Sequence, residues 1–102
     1  MASRLGKFTQ APVERKDYSI DYSQWLSQGE TLSTATFAVV AEGFVTPAVS
    51  PLVVDAYQVN PTAISFWVKN GDDGETYKVT VTIVTNLGQT KEDLVVFVVR
   101  AL

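Results

Sequence analysis

Between Gly74 and Thr85 the chain reads Gly-Glu-Thr-Tyr-Lys-Val-Thr-Val-Thr-Ile-Val-Thr, and few sequences commit a backbone so firmly. Tyr77, Val79, Val81 and Ile83 recur at period two, with Lys78, Thr80 and Thr82 between them. Such alternation puts one set of side chains on each face of a strand, and β-branched residues pack well on a pleated surface. Asp72-Asp73-Gly74 before it and Asn86-Leu87-Gly88 after it are turn formers, because Gly and Asn accept positive φ at little cost. The stretch is expected to be a central strand of a sheet with one dry face.

Other segments repeat the pattern. Asp17 to Tyr22 sets Tyr18, Ile20 and Tyr22 against Asp17, Ser19 and Asp21. Ser23 to Gly29 reads as a single helical turn, capped by Ser23 and ended by Gly29, with Trp25 and Leu26 plugging one end of the fold. Thr31 to Val40 alternates Ala35, Phe37 and Val39 with Thr34, Thr36 and Ala38. Pro47 and Pro51 fit an edge or an extended connection between Phe44 and Leu52. Val53 to Val59 is a short strand, and Ala63 to Lys69 another, with Ile64, Phe66 and Val68 on one face and Trp67 on the other. The last strand, Asp93 to Leu102, is apolar on both sides: Leu94, Val96 and Val98 against Val95, Phe97 and Val99.

About seven short strands with turn punctuation predict an all-β, immunoglobulin-like antiparallel β-sandwich over residues 17–102, with a small barrel as the alternative. A chain of 102 residues is one domain with room for a real core. Residues 1–16 show no period and contain Gly6 and Pro12, so they are expected to form an extended N-terminal arm. The arm carries Arg4, Lys7, Arg15 and Lys16 against Glu14, a net +3, whereas the rest has four bases against ten acids, a net −6. A basic arm on an acidic body argues against nucleic-acid binding by the domain. Two readings stand for the arm: it lies on an acidic neighbour, or it is solvated. Phe8 either anchors it to a partner or folds back onto its own domain. The two-sided last strand either sits beneath the arm or offers its outer face as an interface, and the second reading is preferred.

Chemistry is sparse. The chain lacks both His and Cys, which removes the commonest general base, the commonest metal ligand, thiol nucleophiles and disulfides. Serine and threonine hydroxyls have no paired base in sight, and no Gly-rich phosphate loop occurs. Asp72, Asp73 and Glu75 form the best metal candidate, but their spacing is not that of a calcium loop, and a solvated acidic turn explains them better. No enzyme activity, cofactor or metal is expected. No secretory leader is visible, and the longest apolar run, Leu94 to Val99, is too short to span a bilayer as a helix. A soluble, non-membrane protein is the expectation.

Two stretches carry a resemblance. Gly74-Glu-Thr-Tyr77-Lys-Val-Thr-Val-Thr is similar to the late strands of immunoglobulin-like and polycystic-kidney-disease-type repeats. Lys16-Asp17-Tyr18-Ser19-Ile20-Asp21-Tyr22-Ser23-Gln24-Trp25-Leu26, with Gly29-Glu30-Thr31-Leu32, Ala35-Thr36-Phe37 and Phe66-Trp67-Val68, resembles small immunoglobulin-like virion proteins of tailed phages. That resemblance implies a non-enzymatic structural protein of the phage particle, an adaptor joining tail and fibre components. Capsid decoration is an alternative, as is a carbohydrate-binding surface module using Trp67 and Tyr57. It further implies many copies in a symmetric assembly in the virion, put together in the host cytoplasm, with portal, tail, fibre or capsid proteins as partners. The residues expected to grip a partner are Leu5 and Phe8 in the arm and Val95, Phe97 and Val99 on the last strand, by strand addition or arm exchange.

Overall fold

Alternation along β6 (Thr76–Thr85) is realised almost without exception: Tyr77, Val79, Val81 and Ile83 are at most 1% exposed. The computed structural model describes residues 3–42 and 51–101, with side chains from Gly6 onward. The remaining strands are β1 (Ser3–Gln10), β2 (Arg15–Asp21), β3 (Leu32–Ala41), β4 (Val53–Val59), β5 (Ala63–Lys69) and β7 (Thr90–Val99). They form two sheets, ordered β1-β7-β6-β3 and β2-β5-β4, and no helix occurs among the described residues. Only β4–β5 and β6–β7 pair as neighbours in sequence; the other connections carry the chain between sheets, as in immunoglobulin-like sandwiches. The expected edge or connection from Phe44 to Leu52 lies mostly outside the described residues.

Between the sheets, Ile64, Phe66 and Val68 of β5 meet Val79, Val81 and Ile83 of β6, all at most 1% exposed. Each such side chain contributes about 1.5–3 kcal/mol by leaving water. One end is pinned by Tyr77, whose hydroxyl accepts from the Asp72 N–H at 2.9 Å and donates to Asp72 Oδ2 at 3.0 Å. A tyrosine at the start of this strand, bonded to backbone a few residues upstream, is a corner found in immunoglobulin-like domains. Burial pushes its phenol above the ordinary value. Gly71 is obligatory beside it: φ is +106°, and a Cβ would lie 2.6 Å from Val99 Cγ2.

At the opposite end, Ser23 to Gly29 forms the expected turn, with Trp25 and Leu26 N–H groups donating to the Tyr22 carbonyl at 2.9 and 3.0 Å. The capping acceptor is not Ser23 but Asp21, whose Oδ1 takes the Ser23 N–H at 2.8 Å. That bond holds the Asp21 carboxyl below the usual range. Trp25 packs on Tyr22 with ring centroids 6.3 Å apart, as a plug should. Glu30 ties the turn to the β6–β7 hairpin, accepting from Ser27 N–H at 3.0 Å and from the Thr85 hydroxyl at 2.5 Å, and these bonds lower its pKa.

Two expectations need correction. Residues 3–10 of the leader are extended, but they lie within the four-stranded sheet: β1 pairs with β7, and in parallel, so the sandwich is not wholly antiparallel. Gln10 explains why the strand stays. It is 2% exposed, donates to the Val68 carbonyl at 2.8 Å and accepts from the Tyr18 hydroxyl at 2.8 Å, bonding one sheet to the other. The second correction concerns β7. Val95, Phe97 and Val99 do not face outward; they are 3%, 0% and 0% exposed and belong to the core. The outward set is Leu94, Val96 and Val98, which pair in register with Thr80, Lys78 and Thr76 of β6.

Candidate partner interface

The side of the sandwich where β1 and β2 lie opposite each other is built around Phe8. Inward positions on β1 are Gly6, Phe8 and Gln10, registered with Val95, Phe97 and Val99. With no side chain of its own, Gly6 lets the Phe8 ring fold over the strand; a Cβ there would stand 3.2 Å from the ring edge. A register shift between Arg4 and Gly6 turns the strand at this point.

Phe8 remains 42% exposed, yet its ring lies 5.0 Å from Tyr18 and 5.7 Å from Phe97, centroid to centroid. Tyr18 meets Phe97 edge-on at 5.0 Å and stacks on Phe66 at 6.0 Å. Phe66 meets Phe37 at 5.1 Å, and Phe37 meets Tyr57 at 5.4 Å. A continuous aromatic row therefore crosses the sandwich from one open side to the other. Offset and edge contacts of this kind contribute about 0.5–1.5 kcal/mol each beyond burial.

Beside Phe8 the two sheets do not close. A slot of about 240 Å³ opens between β1 and β2, walled by Phe8, Tyr18, Ile20, Phe66 and Val95, with Ser19 and Asp21 at its rim. Its walls are apolar, and its size suits a large side chain entering from outside. Burial, and then the charges of Glu14 and Asp17, push the Tyr18 phenol up, so this wall stays neutral across physiological pH.

Of the five residues expected to grip a partner, Phe8 and Val95 line the slot, and Phe97 supports Phe8 from below. Val99 sits opposite Gln10 on the core side, and the side chain of Leu5 lies outside the described residues. Tyr18, Ile20 and Phe66 were legible as inward-facing residues, but not as walls of a slot. Their role depends on β1 lying opposite β2, a pairing between sheets that no local pattern encodes.

The two aromatics weighed as a sugar platform are not brought together. Tyr57 leans on the inward-facing Phe37 beside a break in β4, whereas Trp67 lies on the outer face of β5 under the Arg15 guanidinium, 4.3 Å from its ring centre. Arg15 and Lys69 also hold Asp55, at 3.6 and 3.5 Å. The acidic loop is engaged in its own turn: Asp72 bonds Tyr77, and Asp73 accepts from the Ala101 N–H at 2.9 Å. Among the described residues, no three acidic or His/Cys side chains are grouped to hold a metal ion.

An apolar slot thus opens beside an exposed aromatic on β1, which among the described residues pairs with β7 alone. Residues 10–98 match the family model described as Podophage GP4 fiber-tail adaptor protein gp77. The chain belongs to this family. It is a phage virion protein of the fibre–tail adaptor type, a structural component that binds other virion proteins such as those of tail and fibre. Capsid decoration and sugar binding are not favoured by that membership. No curated protein matches the chain.

Proposed function

We propose that this adaptor holds its tail or fibre partner by strand addition along the free edge of β1, with a large apolar side chain of the partner seated in the slot beside Phe8. Main-chain hydrogen bonds would supply affinity, and the slot would fix register. The observation that supports this reading most is the exposed Phe8 ring at the mouth of an unfilled apolar slot. Within the domain that ring could have been buried. A partner chain seated there would cover it and complete the aromatic row. Arg4 and Lys7 on β1 favour a partner segment with acidic flanks.

In this reading Phe8, Val95 and Phe97 act together, Phe8 and Val95 touching the partner's side chain in the slot and Phe97 supporting Phe8 from below. Leu5 belongs to the same strand. Several copies would act around the tail, with assembly in the host cytoplasm, and no catalytic, nucleic-acid or membrane role is assigned. Deleting residues 1–15 is a poor test, because it strips β1 and Gln10 from the fold. Two substitutions serve better: Phe8→Glu removes the exposed ring, and Ile20→Trp fills the slot while keeping the aromatic row. Both should keep a native circular-dichroism spectrum and stop co-purifying with the tail or fibre protein. Folded variants that bind as the unsubstituted chain does would refute the proposal.

A further inference from the structure

Among the described residues the two sheets have four edge strands. β1 is the edge assigned above to the tail or fibre partner, and two of the other three are defended against pairing with another chain: β2 carries Arg15, Lys16, Asp17 and Asp21, and β4 is broken between Asp55 and Gln58, where Ala56 takes a φ of +48°. Charges and bulges of this kind are how edges are kept from associating. β3 is different. Its sequence, Leu-Ser-Thr-Ala-Thr-Phe-Ala-Val-Val-Ala, contains no charge and no proline, and its only irregularity is at the start, between Leu32 and Thr34. Among the described residues it pairs with β6 alone.

We infer that β3 is a contact between two copies of this chain, paired edge to edge and antiparallel about a two-fold axis. Such an axis sets a strand against its own reverse, so a charge near the middle would meet its like. Lys7 would do so on β1, whereas the centre of β3, from Thr36 to Val39, is neutral. The side chains also favour coverage. Val40 is 59% exposed, and the inward-facing Phe37 and Val39 are only half-buried, as expected of a core margin completed by a neighbour. Joining two four-stranded sheets would give one continuous sheet with both β1 edges at its ends, leaving the attachment slots free. The inference does not depend on the slot.

The test is self-association of the full chain by sedimentation and light scattering. The unsubstituted chain should dimerise reversibly with concentration. Ala38→Lys and Ala38→Glu, both at an exposed position in the middle of the contact, should each fold normally and dimerise about tenfold more weakly alone, because each places like charges across the contact. Mixing the two should restore the dimer. A chain that stays monomeric into the millimolar range, charged variants that dimerise as well as the original, or a dimer lost only when β1 is altered would each overturn the inference.

Discussion

Removing the hydroxyl of Tyr77 isolates one link in the fold. In Tyr77→Phe the ring stays where it is, 1% exposed, so no cavity forms and no apolar contact is lost. What disappears are two hydrogen bonds to Asp72, at 2.9 and 3.0 Å, which anchor the loop between β5 and β6. A hydrogen bond contributes about 0.5–1.5 kcal/mol net, so the pair should be worth about 2 kcal/mol. For a domain of this size that lowers Tm by about 8 °C. Scanning calorimetry reads the shift, and urea unfolding should show a lower midpoint at unchanged m, since the surface exposed on unfolding is the same. Asp72→Ala keeps the backbone N–H bond and removes the carboxylate, so a double-mutant cycle should show coupling between the two sites. A Tm within about 2 °C of the parent, or purely additive effects, would show that the corner does not hold the loop.

Three further outcomes follow from the geometry. Gly71→Ala should destabilise by more than about 1 kcal/mol in thermal unfolding, because it combines a left-handed φ with a contact too close for a methyl group. Lys91→Met should cost about 3 kcal/mol in urea unfolding: it removes the cation 3.0 Å from Asp93, whose carboxylate is 0% exposed and is left facing the Tyr22 hydroxyl. On the acid side, Asp21 and Glu30 have pKa values lowered by their hydrogen bonds, so their stabilisation is present above the ordinary carboxylate range and is lost as pH falls through the lowered values. Glu30→Gln should therefore be less stable at pH 7 and show a shallower loss on acidification.

Much of the body of the fold was legible because period-two alternation and Gly/Asn turns act locally. β4, β5 and β6 came out nearly as the pattern required, as did the inward sets Tyr18/Ile20 and Ile64/Phe66/Val68. β1 was not legible as a strand. Its inward positions are Gly, Phe and Gln, which make no alternation, and its partner β7 lies at the far end of the chain. On β7 both faces are apolar, so alternation alone could not say which set turns inward. The inward set even includes charge: Asp93 is buried there, paired with Lys91 at 3.0 Å, which no hydropathy pattern would suggest. The slot was half legible for a related reason. Phe8 stood out, but the unfilled volume beside it exists only where two edge strands from different sheets come together.

A density map of the assembled tail containing this chain bears most directly on how the adaptor works. It should show an extended segment of a tail or fibre protein hydrogen-bonded along β1, with one large apolar side chain entering between Phe8, Ile20 and Val95. A bare β1 edge and an empty slot, with the partner bound elsewhere on the sandwich, would contradict the account.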